Sequence, residues 1–198
     1  MSDPVIVATG ANVASVAYAL ERLGARAELT AEPERVARAS HVILPGVGAA
    51  AEAMRQLRAA NLDRLIPTLT QPVLGICLGL QLLCESSEEG DTRCLGIFTG
   101  RARRLESAPA RSVPHMGWNT LTSSTPHRLL TGIENGAYAY FVHTYVVPVG
   151  PATAATCDYG GAFTAAASRG NFHGVQFHPE RSASVGARLL GNFLALGA

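Results

Sequence analysis

The sequence has little of what would take it out of an ordinary globular class. Charged residues make up only 16% of its 198 positions, they nearly balance at a formal net charge of +1, and no long basic run is present. An electrostatic footprint for nucleic acid is therefore missing. No apolar stretch reaches membrane-spanning length. The opening "MSDPVIVATGAN" has no basic lead, and its apolar run is too short for a signal core. These absences predict a cytosolic protein. The four cysteines, Cys77, Cys84, Cys94 and Cys157, contain no Cys-x-x-Cys pair, which counts against a structural zinc. In a cytosolic chain of this size they are expected to be free thiols rather than disulfides. No internal repeat, low-complexity tract or long linker divides the chain, so one domain over 1–198 is expected.

What is present is a hydrophobic fraction of 47%, enough for a substantial core. The first half alternates in type. "PVIVA", "RAEL", "HVILP" and "PVLGI" read as strands. Val13, Val16, Ala17, Leu20 and Leu23 recur at helical spacing after Asn12, a candidate N-cap. A helical pattern surrounds Val36, and others cover Ala49–Leu57 and Leu78–Cys84. Strand–helix alternation with short turns predicts βαβ units and a doubly wound, largely parallel sheet flanked by helices. After about residue 95, short runs such as "GIFTGRARRL", "AYAYFVHTYVV", "PATAATCDY", "AFTAAAS" and "FHGVQFH" predict an antiparallel or mixed extension. Val185, Leu189, Phe193 and Leu196 mark a closing helix.

In "GICLG", Cys77 stands between Gly75 and Gly79 where a strand meets a helix. An elbow of this kind pushes a side chain out over the sheet edge, and glycines relieve the crowding. The helix start beyond it offers N–H groups and positive potential, beginning with the amide of Leu78, which suits an oxyanion. That is how a nucleophile is presented, although the motif alone is matched as well by a cysteine that merely fills space. A nucleophile needs a base and a group to orient the base. "FHPE" supplies His178 and Glu180, two apart in a segment that proline keeps extended, so both can project to one side. Gly46 and Gly48 bracket Val47 in "LPGVG". That loop can bring backbone N–H groups to a ligand, and it lacks the Gly-Lys-Ser/Thr ending of a phosphate-binding P-loop.

"GICLGLQLL" together with "FHPE" resembles the class I, triad-type glutamine amidotransferases, which hydrolyse glutamine and pass the ammonia to a synthase. "VPHMGWN", "PGVG", "QLLCESSEEG", "LGIFTG" and "YFVHTYVV" resemble the glutaminase subunits of imidazole glycerol phosphate synthases within that class. The resemblance covers the whole chain and implies a flavodoxin-like amidotransferase domain. It implies Cys77 as nucleophile, His178 as general acid/base and Glu180 as the orienting carboxylate. Gln81 and Glu89 would contact the polar groups of L-glutamine, with the backbone of Thr144 and Tyr145 contributing. Asn12, Met116, Trp118, Asn119 and Tyr140 would lie near the docking face for a cyclase subunit, a (β/α)8 barrel, in a heterodimer. For Trp118 the alternative is a core aromatic, and for Glu89 a solvated charge in an acidic turn. No metal or organic cofactor is implied, and Cys84 and Cys94 are expected to be structural. The rivals are a glutaminase serving another synthase, a stand-alone esterase-type cysteine hydrolase, and a non-catalytic binding subunit.

Overall fold

A computed structural model of the chain describes residues 3–8, 13–109, 111–123 and 126–197. Asn12, read both as a helix cap and as a docking residue, lies outside the described residues. The chain runs through β1 (Val5–Val7), α1 (Val13–Glu21), β2 (Glu28–Thr30), α2 (Pro33–Arg38), β3 (Val42–Leu44), α3 (Ala50–Ala59), a single turn α4 (Leu62–Leu65) and β4 (Val73–Ile76). After α5 (Leu78–Leu82) come β5 (Cys84–Ser87), β6 (Thr92–Arg93), β7 (Phe98–Arg104), β8 (His115–Thr120), β9 (Tyr138–His143) and β10 (Tyr145–Val146). The last part holds β11 (Thr153–Asp158), β12 (Ala162–Arg169), β13 (Phe172–Val175) and α6 (Ala183–Leu194).

The main sheet has seven strands in the order β11-β12-β13-β4-β3-β1-β2. From β13 to β2 every pairing is parallel, and β12 and β11 add an antiparallel edge. A second sheet, β10-β7-β5-β6, and the hairpin β8–β9 pack beside it. The mixed, largely parallel sheet expected from the sequence is therefore present, with the extension divided into three pieces.

The short apolar runs are strands because both of their faces are covered. Ile6, Ile43, Leu74 and Ile76 pack with Val16 and Leu20 of α1 and Leu189 and Phe193 of α6. Their neighbours Val5, Val7, Val42, Leu44 and Val73 turn to the other side, against Val36, Met54, Leu57 and Leu80. The alternation of a strand thus feeds two cores from one continuous run.

The structure corrects several boundaries. The leucine-rich helix stops at Leu82, and Cys84 already belongs to a strand that pairs with β7. Leu23 lies beyond α1 and is 39% exposed. The last strand ends at Val175, so His178 sits beyond it rather than within it. All four cysteines are free and buried. Among the described residues, no helix is long and apolar enough to cross a membrane.

Candidate active site

Three adjacent parallel strands deliver the site. Leu44 of β3 pairs with Gly75 of β4, and Ile76 of β4 pairs with Val175 of β13. The loop Pro45–Gly48, Cys77 and His178 therefore leave the sheet at one carboxyl edge, the usual place for a ligand in an open parallel sheet.

Cys77 sits at the turn into α5 with φ 54° and ψ −108°, a left-handed backbone that a non-glycine residue adopts only when its surroundings impose it. The surroundings are on both sides. A Cβ on Gly79 would overlap the carbonyl oxygen of Leu44, and one on Gly75 would stand 2.6 Å from the backbone of Gly79. The two glycines let strand and helix backbones touch, and the Cys77 amide is held by the carbonyl of Val175 at 2.8 Å. The thiol donates to the carbonyl of Val142 at 3.6 Å.

His178 is buried, and its Nδ1 donates to Oε1 of Glu180 at 2.9 Å, so Nε2 is the nitrogen left for proton exchange. The pair forms differently from the expectation. Glu180 belongs to a single 3-10 turn, Pro179–Arg181, and that turn rather than an extended segment brings it back to the imidazole. The turn is locked by Ser182, whose hydroxyl donates to the carbonyl of His178 at 2.7 Å and accepts the Tyr140 amide at 3.0 Å. Burial alone would lower the pKa of His178. Its interactions with Cys77 and then Glu180 outweigh that and raise it to about 10. The imidazole is thus a strong claimant for the thiol proton. The second oxygen of Glu180, Oε2, is buried without a hydrogen-bond partner among the described residues.

A cavity of about 400 Å³ opens over these groups, lined by Gly46, Val47, Gly48, Cys77, Leu78, Gln81, Glu89, Thr144, Tyr145 and His178. Of the residues expected to bind or transform substrate, all but Glu180 border this space; Glu180 lies behind His178, bonded to its Nδ1. Pro114, Val142, His143 and Arg181 border it as well and were not expected. Pro114 lies in "VPHMGWN", and Val142 and His143 in "YFVHTYVV", but nothing in those runs singles them out as cavity residues; β9, whose Tyr140 carbonyl accepts the His178 amide, brings Val142 and His143 there. Gly48 has φ 94°, and a Cβ on Gly46 would meet that of Leu78 at 2.7 Å, so the loop tolerates side chains at neither glycine. Gln81 is almost fully buried, and its amide nitrogen donates to the carbonyl of Tyr145 at 2.9 Å and to Oε1 of Gln176 at 3.2 Å. Both N–H bonds are spent inside the protein, so what Gln81 can offer a ligand is its amide oxygen. Glu89 is half-buried and accepts the first amide of α3, from Ala50, on Oε2 at 2.7 Å, leaving one oxygen toward the cavity. It is not the solvated turn charge of the alternative reading.

Along β8 the side chains alternate. His115 and Asn119 turn inward, while Met116 and Trp118 are 63% and 53% exposed. Trp118 is thus no core residue. Opposite it in the hairpin, Tyr140 meets the indole edge-on at 5.8 Å and lies under the guanidinium of Arg181 at 5.9 Å. The exposed aromatic face and the cavity mouth are therefore contiguous. Among the described residues, no group of His, Cys, Asp and Glu is placed to hold a metal ion.

An elbow cysteine, a buried His–Glu pair and a glycine loop thus meet at one edge of a parallel sheet. The chain belongs to the class-I glutamine amidotransferase family, whose model matches residues 6–196. It is 52% identical, over 98% of its length and 96% of the relative's, to "Imidazole glycerol phosphate synthase subunit HisH" of Xylella fastidiosa. A protein of the same description from Xanthomonas axonopodis is 51% identical, with 99% and 98% of the two chains covered. Among solved structures, one described as a glutamine amidotransferase superposes with a TM-score of 0.75 at 19% identity, covering 97% of each chain. A glutamine amidotransferase of Thermotoga maritima gives a TM-score of 0.63 at 15% identity, covering 96% of this chain and 80% of its own. These likenesses at low identity bear on the fold alone.

Proposed function

We propose that this chain is the glutaminase subunit of an imidazole glycerol phosphate synthase. In that reading it hydrolyses L-glutamine to glutamate and ammonia, and a cyclase subunit uses the ammonia in histidine biosynthesis. The observation that carries the reading is identity above half along nearly the full chain to subunits of that description, joined to a cavity that holds Cys77 and His178, with Glu180 bonded to the imidazole behind it.

The geometry supports the following chemistry. Substrate enters the cavity with its side-chain amide carbon against Sγ of Cys77. The thiol proton passes to Nε2 of His178 before attack, Glu180 stabilises the imidazolium, and the S–C bond forms from the thiolate. Negative charge on the amide oxygen is met by N–H groups at the start of α5 and in the Gly46–Gly48 loop. His178 returns its proton to the departing nitrogen, and ammonia leaves a γ-glutamyl thioester. A water deprotonated by His178 then attacks the thioester and releases glutamate. Glu89 suits the α-ammonium of the substrate, with the backbone around Thr144 and Tyr145 beside it.

The partner docks, in this reading, on the face carrying Met116, Trp118 and Tyr140. A closed interface there is chemically required, because ammonia escaping into neutral water is protonated and lost as a nucleophile. The test is glutamate release from L-glutamine by the purified chain, alone and with the cyclase subunit plus its nucleotide substrate. Release that rises strongly in the assembled complex is expected. Silence in both, from folded protein, or equal rates with and without the cyclase, overturns the assignment.

A further inference from the structure

Gln176 lies two residues before His178, is fully buried, and places its amide nitrogen 3.7 Å from Sγ of Cys77. Which end of that amide faces the sulfur matters, since N–H favours a thiolate and C=O opposes it. A chain of hydrogen bonds fixes the answer. The carbonyl of Tyr145 can only accept, so Gln81 must present its nitrogen there, at 2.9 Å. The same nitrogen lies 3.2 Å from the neighbouring amide and demands an acceptor, so Gln176 turns its oxygen to Gln81 and its nitrogen to the sulfur.

The Tyr145 carbonyl is itself held from the other side. Nδ1 of His143 donates to it at 3.0 Å, so Nε2 of His143 is bare and accepts Nδ1–H of His115 at 3.0 Å. Nε2 of His115 is then bare and faces the amide nitrogen of Asn119 at 3.3 Å. Asn119 cannot be reversed, because its oxygen accepts the Thr120 amide at 2.8 Å and its nitrogen donates to the Asp158 carbonyl at 2.9 Å. With a pure donor at one end and a pure acceptor at the other, every proton is assigned. A second proton on either ring would set two N–H groups face to face, so both imidazoles are neutral. Burial acts in the same direction, lowering His115 to about 4. It lowers His143 to about 3, aided by His115 and His178.

We infer that Gln176 donates a hydrogen bond to the nucleophilic sulfur, and that Gln81, anchored on the Tyr145 carbonyl, is a positioning residue that holds its amide the right way round. The inference rests on the reading of Cys77 as the nucleophile. The donor favours the anionic sulfur when the thiol loses its proton to His178, and again when the thioester collapses and the thiolate leaves.

The test is the rate of alkylation of the full chain by iodoacetamide as a function of pH, with mass spectrometry locating the label. Losing a hydrogen bond to a charged group should slow labelling of Cys77 at neutral pH by about tenfold in Gln176→Leu. The rates should converge with the parent at alkaline pH, where the thiol ionises without help; a merely structural loss would not converge. Where Gln176→Leu does not fold, Gln176→Glu keeps the shape and puts an acid beside the sulfur, moving the profile further to high pH. A parent chain not labelled selectively at Cys77 would overturn the nucleophile reading itself. Selective labelling with identical profiles in parent and Gln176 variants would overturn the donor role alone.

Discussion

Glu180 presents one oxygen to His178 and buries the other without a partner among the described residues, so its bonding is spent on a single imidazole. Glu180→Gln keeps the volume and removes the charge. Glutamate release should fall by about 10⁴, the loss that the same change of the orienting carboxylate causes in the Ser-His-Asp triad. The same substitution has a pH signature in stability. His178 is raised from its ordinary 6.5 to about 10, so its interactions stabilise the fold fully below 6.5 and lose that contribution as pH climbs through about 10. The stability gap between Glu180→Gln and its parent should therefore be open at pH 7 and close above pH 10 in urea titrations. A gap that does not change with pH would assign the effect to packing instead. Cys77→Ala is the complementary test. It should abolish glutamine-dependent turnover in the complex and leave ammonia-dependent turnover intact, because nothing but the amide hydrolysis passes through the sulfur.

At the scale of elements, the closing helix carries two glycines with opposite meanings. A Cβ on Gly186 would overlap the carbonyl of Pro179, in the turn that holds His178 and Glu180, whereas Gly191 meets nothing within 4 Å. In an open helix, alanine gains about 0.5–1 kcal/mol over glycine. Gly191→Ala should gain that amount. Gly186→Ala should lose about 1–3 kcal/mol through overpacking and should also slow glutamate release by shifting the triad turn. Equal and positive changes in the urea midpoint would show that α6 is not pressed against the turn. This contrast was not legible in the sequence, where both are glycines in one amphipathic helix. What could be read there was whatever short-range pattern decides. "HVILP" and "PVLGI" are apolar throughout because both faces are buried, and "GICLG" and "FHPE" carry their geometry in three to five residues. What could not be read depended on distant partners. The leucine run after Cys77 ends early because Cys84 joins β7, and a short apolar run does not by itself distinguish helix from strand. The roles of His143 and Gln176 come from the β8–β9 register and the neighbouring strand, which no local spacing records.

Taken as a whole, the molecule keeps its ionisable groups in two opposed populations, and its stability should record both. His178 holds a proton more tightly than an unfolded histidine does. His115, His143 and His173 hold theirs more weakly, lowered chiefly by burial to about 4, 3 and 4. For the lowered group, the unfolded chain binds more protons than the folded one between pH 6.5 and about 4. Stability is therefore complete above 6.5 and drains as pH falls through that window. Each such histidine adds a slope of about 1.4 kcal/mol per pH unit at its steepest. The fold should thus be robust at neutral pH and lose stability steeply on mild acidification, before the carboxylates titrate. His173 isolates one share of the effect. It sits away from the cavity, bonded to the Ser168 hydroxyl at 2.9 Å, so replacing it leaves the site untouched. In His173→Gln the acid-side slope of unfolding free energy, measured by urea titration from pH 7 to 4.5, should shrink by the share of one histidine. An unchanged slope would mean that the acid sensitivity arises elsewhere, and that His173 takes up its proton without opening the fold.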